Sequence, residues 1–333
     1  MLLAASAMGT RFELVLPDDG STEAHRRCAA EAALAEVIDL DSRLSLFRKD
    51  SLLAHLNREA ARGTSGQPVR LDDDTFALLS ICVEVWRDSN GAFDATVAPL
   101  MRQWGLHIDS VLPPAAPLPI CGPEGCTIPG DSPARHDITR SDTGAIDLDI
   151  EAKSVRFAAP IALDLGGIAK GFALDIATRT LRESGIEHAF LQGGTSAIAA
   201  LGVPRPGDGT ARNAWRVAIE VPEHAAPDGS VTIAMRDMAM CVSAHHGRTA
   251  EGRGHIIDPS TSAPASGAST APAAEVAAVV AHLATNHALW PCASADAWTK
   301  PVLLSATRPA LLPSVMTTIV VSDHDIAISG PHA

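Results

Sequence analysis

The stretch Ile161-Ala-Leu-Asp-Leu-Gly-Gly-Ile-Ala-Lys-Gly171 constrains the chain most. Its apolar run predicts a short strand over residues 161–165. Two glycines follow, then Ile168, Phe172, Ile176 and Thr180 recur every four residues up to Gly185, which predicts a helix. A chain that runs through Gly-Gly into a helix lets backbone N–H groups approach an anion closely, and the helix N-terminus favours negative charge there. Lys170 in the first turn adds a full positive charge, and Asp164 just ahead of the glycines is placed to accept from a ligand N–H or hydroxyl. The motif is not a nucleotidase-type phosphate loop, because Gly171 rather than Ser or Thr follows the lysine, and it lacks a three-glycine dinucleotide fingerprint. By itself it is equally readable as a tight turn with a solvated lysine.

The rest of the chain narrows the choice. At 333 residues with 46% apolar side chains, it is long enough for a large core, as one domain or two intimate halves. The formal charge of −13 is spread without a basic block, which argues against nucleic acid or an acidic membrane as partner. No run of 18 apolar residues exists, so no membrane span is expected. Met1 to Ala7 lacks a basic start and has too short an apolar core for a secretory signal. The expectation is therefore a cytoplasmic protein, or a periplasmic one if the true start lies upstream. Of the six cysteines only Cys121 and Cys126 lie near one another, and the pattern fits free thiols better than a disulfide or metal framework. His245-His246 has no Cys or carboxylate at ligand spacing, so a transition-metal site there is not expected.

Taken in order, Thr10 to Leu16 alternates as a strand does. Ser21 or Thr22 can cap a helix with Cys28, Ala32, Ala35 and Ile38 on one face, and Asp74 to Asp88 fits another with Phe76, Leu79, Val83 and Trp86 on one face. Residues 109–144 are rich in Pro and Gly and aperiodic, an irregular surface excursion. Strands are predicted for Glu187 to Leu191, then from Gly193-Gly194 to Leu201, Ala214 to Val221, Val231 to Met235 and Val276 to Leu283. The Gly-Gly between the first two suggests backbone passing close to something flat or bulky. Cys241 to Arg248 and Gly254 to Pro259 read as polar interruptions, Pro264 to Ala274 as a loop, and Ser294 to Lys300 as the opening of a helix.

Several of these stretches together resemble the ApbE family of FAD:protein FMN transferases. They are Ala7-Met-Gly-Thr10, Ser45-Leu-Phe47 with Ser51 and Asn57, Gly91-Ala-Phe-Asp94 with Pro99-Leu100 and Trp104-Gly105, Asp164 to Gly171, Gly193-Gly194, His255-Ile-Ile-Asp-Pro259 and Ala295-Asp-Ala297. They follow the family's order from position 7 to about 305. The resemblance implies an α+β fold, T-fold-related, with a duplicated mixed sheet-and-helix core and a ligand cleft between the halves of a single domain over 1–333. It implies FAD as substrate, Mg2+, and transfer of the FMN part of FAD to a Thr or Ser hydroxyl of a partner flavoprotein with release of AMP. The alternatives it leaves are an FAD pyrophosphatase and a catalytically weak FAD-binding protein.

Carried over residue by residue, the resemblance implies that Met8 and Phe47 pack against the rings, that Ala92, Phe93, Asp94 and Ile257 line the nucleotide, and that Asp164 hydrogen-bonds it. Lys170 would neutralise phosphate, the Gly167 carbonyl and the Asp296 carboxylate would hold Mg2+, and His255 would accept the target hydroxyl's proton. Each has a structural alternative: core packing for Met8, Phe47 and Phe93, a turn cap for Asp94, a helix cap for Asp296, a donor to backbone for His255. The chain also departs from the family's pattern. Four residues after Asp296, where the family has a metal-ligating Thr, stands Lys300, and the hydroxyl has moved to Thr299. Either the backbone shifts so that Thr299 serves as ligand, or the lysine's ammonium partly replaces the metal. Thr195 stands where the family has an Asp, Ala244 follows Ser243 where it has Gly, and Thr261-Ser262 replaces its Thr-Gly.

Overall fold

The computed structural model describes residues 1–107, 109–112, 120–122, 125–127, 142–204, 213–245, 249–250, 253–265, 274–283, 290–322 and 325–331. Its helices are α1 (Glu23–Arg43), α2 (Leu52–Ala60), α3 (Asp73–Asp88), α4 (Ala98–Gln103), α5 (Ala169–Glu183) and α6 (Pro291–Ser305). The chain divides into two compact units: 1–42 with 166–246 and 269–333, and 43–165 with 247–268.

The first unit is built on an antiparallel eight-stranded sheet. In spatial order its strands are Leu2–Ala7, Thr10–Val15, Ala189–Gly193, Ala197–Leu201, Met238–Ala244, Val276–His282, Thr317–Ser322 and Asp325–Ser329. The central strands are buried on both faces, which is why Ala197–Leu201 and Val276–Ala281 read as unbroken apolar runs rather than alternations. One face packs against the hairpin Trp215–Glu220 and Ser230–Met235. There Val217, Ile219, Val221 and Met235 meet Ile198, Met240, Val276, Val280, Ile319 and Val321 in one cluster. The other face carries α5 and α6. Each fully buried apolar side chain in such a layer contributes about 1.5–3 kcal/mol, and Phe172, Leu174, Leu191 and Val302 have no exposed surface.

The second unit holds α2, α3, α4 and a three-stranded antiparallel sheet ordered Val69–Arg70, Ser154–Phe157, Ile146–Asp149. Ser51 and Asp72 cap α2 and α3, their side chains accepting from the N–H groups of Ala54 and Thr75.

The α+β class matches the expectation, while four local readings need correction. Residues 161–165 are extended and buried but join no sheet. Their backbone groups are met individually: Leu163 N–H donates to the Asn57 side chain at 2.6 Å, that side chain donates back to Leu163 O at 3.1 Å, and Asp164 N–H donates to Ala95 O at 2.7 Å. A side chain thus replaces a neighbouring strand, and no hydropathy pattern reports that. Helix α1 is capped by Thr22, which accepts from His25 N–H, but buries Ala29, Ala30, Ala33, Leu34, Val37 and Leu40 rather than Cys28, Ala32, Ala35 and Ile38. In an alanine-rich helix two neighbouring stripes are almost equally apolar, and the larger Leu and Val side chains decide which one turns inward. Cys241 to Ala244 is not a polar interruption but the end of a central strand. An unforeseen edge strand, Leu2–Ala7, precedes the expected one. Within the excursion, Ile120–Gly122 pairs with Gly125–Thr127, setting Cys121 opposite Cys126 in register. Residues 113–119 and 128–141 lie outside the described residues, as does most of the expected loop 264–274.

The bulky group beside Gly193 belongs to the chain itself. A Cβ there would meet the Phe12 ring, so the glycine admits a core aromatic from the neighbouring strand.

Candidate functional site

In the first unit, α5 and α6 cap one another. Ile168 stands at the N-cap of α5 and offers no side-chain acceptor. The acceptor comes from α6: Gly171 N–H donates to Asp296 Oδ2 at 3.1 Å. Reciprocally, Asp175 of α5 accepts from Cys292 N–H at 3.0 Å and Ala293 N–H at 2.8 Å, the first-turn donors of α6. The two helices approach closely because residue 171 has no side chain; a Cβ there would collide with the Cys292 carbonyl and Asp296. Asp175 was missed in the sequence, where it reads as one more polar residue in a helix, and only its partner helix reveals its role.

The two carboxylates sit in different electrostatic surroundings. Burial pushes the Asp175 carboxyl up to about 7, against the backbone N–H bonds and the charge of Arg182. Asp296, 2% exposed, has a cation at hand: Lys300 Nζ lies 2.6 Å from its Oδ1. The same ammonium donates to Gly167 O at 2.6 Å and Asp296 O at 2.8 Å. Burial draws the Lys300 pKa down from the usual lysine value, while the Asp296 charge pulls it back up. Beside this cluster, Thr299 is fully buried and donates to Asp296 O at 2.6 Å, with its oxygen 2.7 Å from Ser243 Oγ. Cys241 and Cys292 line the packed interior behind it, their thiols pushed well above the usual range by burial, so they are inert packing groups.

Of the residues expected to hold Mg2+, Gly167 and Asp296 are therefore brought together, but Lys300 Nζ takes the oxygens they present. Thr299 is turned toward Asp296 O and Ser243. A lysine has three donors and no acceptor, so these groups as arranged do not fit a divalent cation. Among the described residues no group of three or more His, Cys, Asp or Glu could hold a metal either. Lys170 is half-buried in the first turn of α5, close enough that its charge acts on Lys300 and Cys241. Met8 lies in the turn between the first two strands with φ +51°, its N–H donating to Asp41 Oδ1 at 2.8 Å.

In the second unit, Asp94 organises its own loop. Its Oδ1 accepts from Thr96 N–H at 2.7 Å, Thr96 Oγ1 at 2.6 Å and Thr143 Oγ1 at 2.8 Å. Burial raises its pKa while those hydrogen bonds lower it. The turn-cap alternative therefore describes its contacts, and Phe93, 4% exposed, packs in the core. The loop is useful all the same, because Ala95 O anchors Asp164 N–H. Asp164 Oδ2 lies 3.5 Å from His107 Nδ1, and the His107 ring centroid is 5.8 Å from that of Phe47. Phe47 is 55% exposed, so it is available to a planar ligand and is not core packing. His107, with φ +55°, is a residue the sequence reading did not single out; its neighbour Trp104, which donates to Ser262 O at 2.9 Å, was the nearest signal. Ala92 is half-buried. Ile257 is buried in the small hairpin that pairs Ile257–Asp258 with Ala263–Pro264, and His255, half-buried, enters that hairpin.

The FAD:protein FMN transferase of Haemophilus influenzae is 26% identical over 268 residues, covering 79% of this chain and 72% of the relative. That of Treponema pallidum is 30% identical over 72% of this chain and 66% of its own length. Among solved structures, the flavin transferase ApbE from Vibrio cholerae superposes with TM-score 0.70 at 20% identity, over 99% of this chain and 96% of that one. The ApbE protein from Thermotoga maritima gives 0.69 at 21% identity, over 99% and 96%. The family model described as the ApbE family matches residues 8–307, and the chain belongs to that family.

Proposed function

We propose that this chain is an FAD:protein FMN transferase, acting on FAD and on a Thr or Ser hydroxyl of an acceptor flavoprotein. The observation that carries the proposal is the start of α5. There Lys170 places a positive charge in the first turn of a helix whose N-cap residue, Ile168, has no side-chain acceptor of its own, which suits a diphosphate. Relatives named for this activity support the same reading. Phosphoryl transfer asks a protein mainly for positioning and for charge on the nonbridging and leaving oxygens, and Lys170 supplies the latter.

In the reaction the acceptor oxygen attacks the FMN-side phosphorus. The new P–O bond forms as the anhydride bond to the AMP phosphate breaks, and the hydroxyl proton passes to a base. His255 is assigned that base, since imidazole titrates near neutrality. Asp164, held by the Ala95 carbonyl and beside His107, would accept a hydrogen bond from the nucleotide. Phe47 would stack a ring, Met8 would lie against one, and Ala92 and Ile257 would line the path. Phe93 and Asp94 would act through the loop they stabilise. No helix of the described residues is long and apolar enough to cross a membrane.

The test is to incubate purified protein with FAD and a flavoprotein carrying an accessible acceptor Thr, following nucleotides by chromatography and the acceptor by in-gel flavin fluorescence. AMP together with a fluorescent acceptor is the expected result. AMP with free FMN would identify a pyrophosphatase, and unconsumed FAD a binding protein.

A further inference from the structure

We infer that the ε-ammonium of Lys300 is the resident cation of the α5–α6 site, holding the Gly167 and Asp296 oxygens where the family pattern places a divalent metal. The geometry is that of a coordinated cation. Three oxygens, Gly167 O, Asp296 O and Asp296 Oδ1, surround Nζ at 2.6, 2.8 and 2.6 Å. An ammonium has three N–H donors, and each is spent on one of these acceptors. A neutral amine could satisfy only two, so the contact set itself requires the charged form.

The surrounding groups hold the ammonium in place. Asp296 stands four residues N-terminal to Lys300 on α6, the favourable order for an i,i+4 pair. Its other carboxylate oxygen is fixed by Gly171 N–H, so the carboxylate cannot swing toward a different cation without uncapping α5. The hydroxyl that would complete a metal shell, Thr299, is committed to Asp296 O and Ser243. Mg2+ demands oxygen ligands at about 2.0–2.1 Å in near-octahedral array. An ion drawing on the same Gly167 and Asp296 oxygens would meet Nζ and its like charge, with Lys170 adding a second positive charge nearby.

The consequence, which rests on the functional reading above, is that a covalently attached ammonium, paired with Asp296, fills the place that a divalent ion would take beside the flavin diphosphate. FAD binding to this chain then needs no divalent ion at that place. The charge also cannot be stripped by a chelator or exchanged for another metal.

The experiment has a ligand-free arm and an FAD arm. In the first, Mn2+ is titrated into chelator-treated full-length protein and free Mn2+ is read by electron paramagnetic resonance. Wild type is expected to leave Mn2+ free through the micromolar range, whereas Lys300→Thr binds about one equivalent at least tenfold more tightly. Stoichiometric micromolar binding by wild type that Asp296→Asn abolishes would overturn the inference. If Lys300→Thr fails to fold, the wild-type and Asp296→Asn titrations still decide. In the second arm, FAD affinity is measured by fluorescence quenching in EDTA and in millimolar Mg2+. Wild-type affinities within about twofold of each other are expected, and a gain above tenfold with Mg2+ that Asp296→Asn removes would overturn it. Absence of FAD binding under both conditions would sink the functional reading instead, leaving the Mn2+ arm to decide this one.

Discussion

Asp175 and Asp296 do the same backbone job at the starts of two paired helices, yet the protein treats their charges differently. Each accepts N–H groups at the start of the other's helix, and each is buried. Asp296 has an ammonium at 2.6 Å. Asp175 has N–H dipoles, the Cys292 thiol and the field of Arg182, and burial pushes it up to about 7. The same backbone capping is thus done by one carboxylate with an ammonium beside it and by one without, and in the second case burial outweighs the backbone donors and the Arg182 charge.

The hardest blow to this comparison is Lys300→Met. It removes the cation and leaves Asp296 and Gly167 O with buried, unmet acceptors, so a loss of about 3–5 kcal/mol in urea unfolding is expected. A loss below about 1 kcal/mol would mean that the ammonium is not what holds the carboxylate. Next is Gly171→Ala, which drives a Cβ into the Cys292 carbonyl and so separates both caps at once. About 1–3 kcal/mol of destabilisation is expected from such overpacking, and melting unchanged from wild type would contradict the close helix approach.

The pH dependence sharpens the contrast. For Asp175 the folded pKa, about 7, lies above the reference value of 3.8. Between those values the folded state binds more protons than the unfolded one, so stability from this group is full below about pH 4 and falls as pH rises to about 7. Asp175→Asn should flatten that part of the stability–pH curve in urea titrations at fixed salt, and a slope identical to wild type would remove the assignment. The smallest structural effect is expected from Phe47→Ala in the other unit. Exposed as the ring is, stability should stay within about 0.5 kcal/mol, while FAD affinity falls several-fold; unaltered affinity would take Phe47 out of ligand binding.

Much of the frame was legible because it depends on short-range pattern. The four-residue recurrence from Ile168 to Thr180 predicts α5, and Thr22 caps a helix as its type suggests. What escaped depends on partners far away in sequence. Residues 161–165 look like a strand and are satisfied by Asn57 instead. His107 carries no motif, and its relevance arises from Phe47 and Asp164. Asp175 became visible only against Cys292 and Ala293.

The sequence by itself determined the family, the helix that became α5 and the anomaly at position 300. It left two outcomes open there, a shifted Thr299 or a lysine in the metal's place. Only the tertiary structure decided between them, because the deciding acceptor, Gly167 O, lies 133 residues away along the chain. Whether an ammonium at the end of a four-carbon stem can reach it depends on how closely α5 and α6 approach, and that is set by the missing side chain at Gly171.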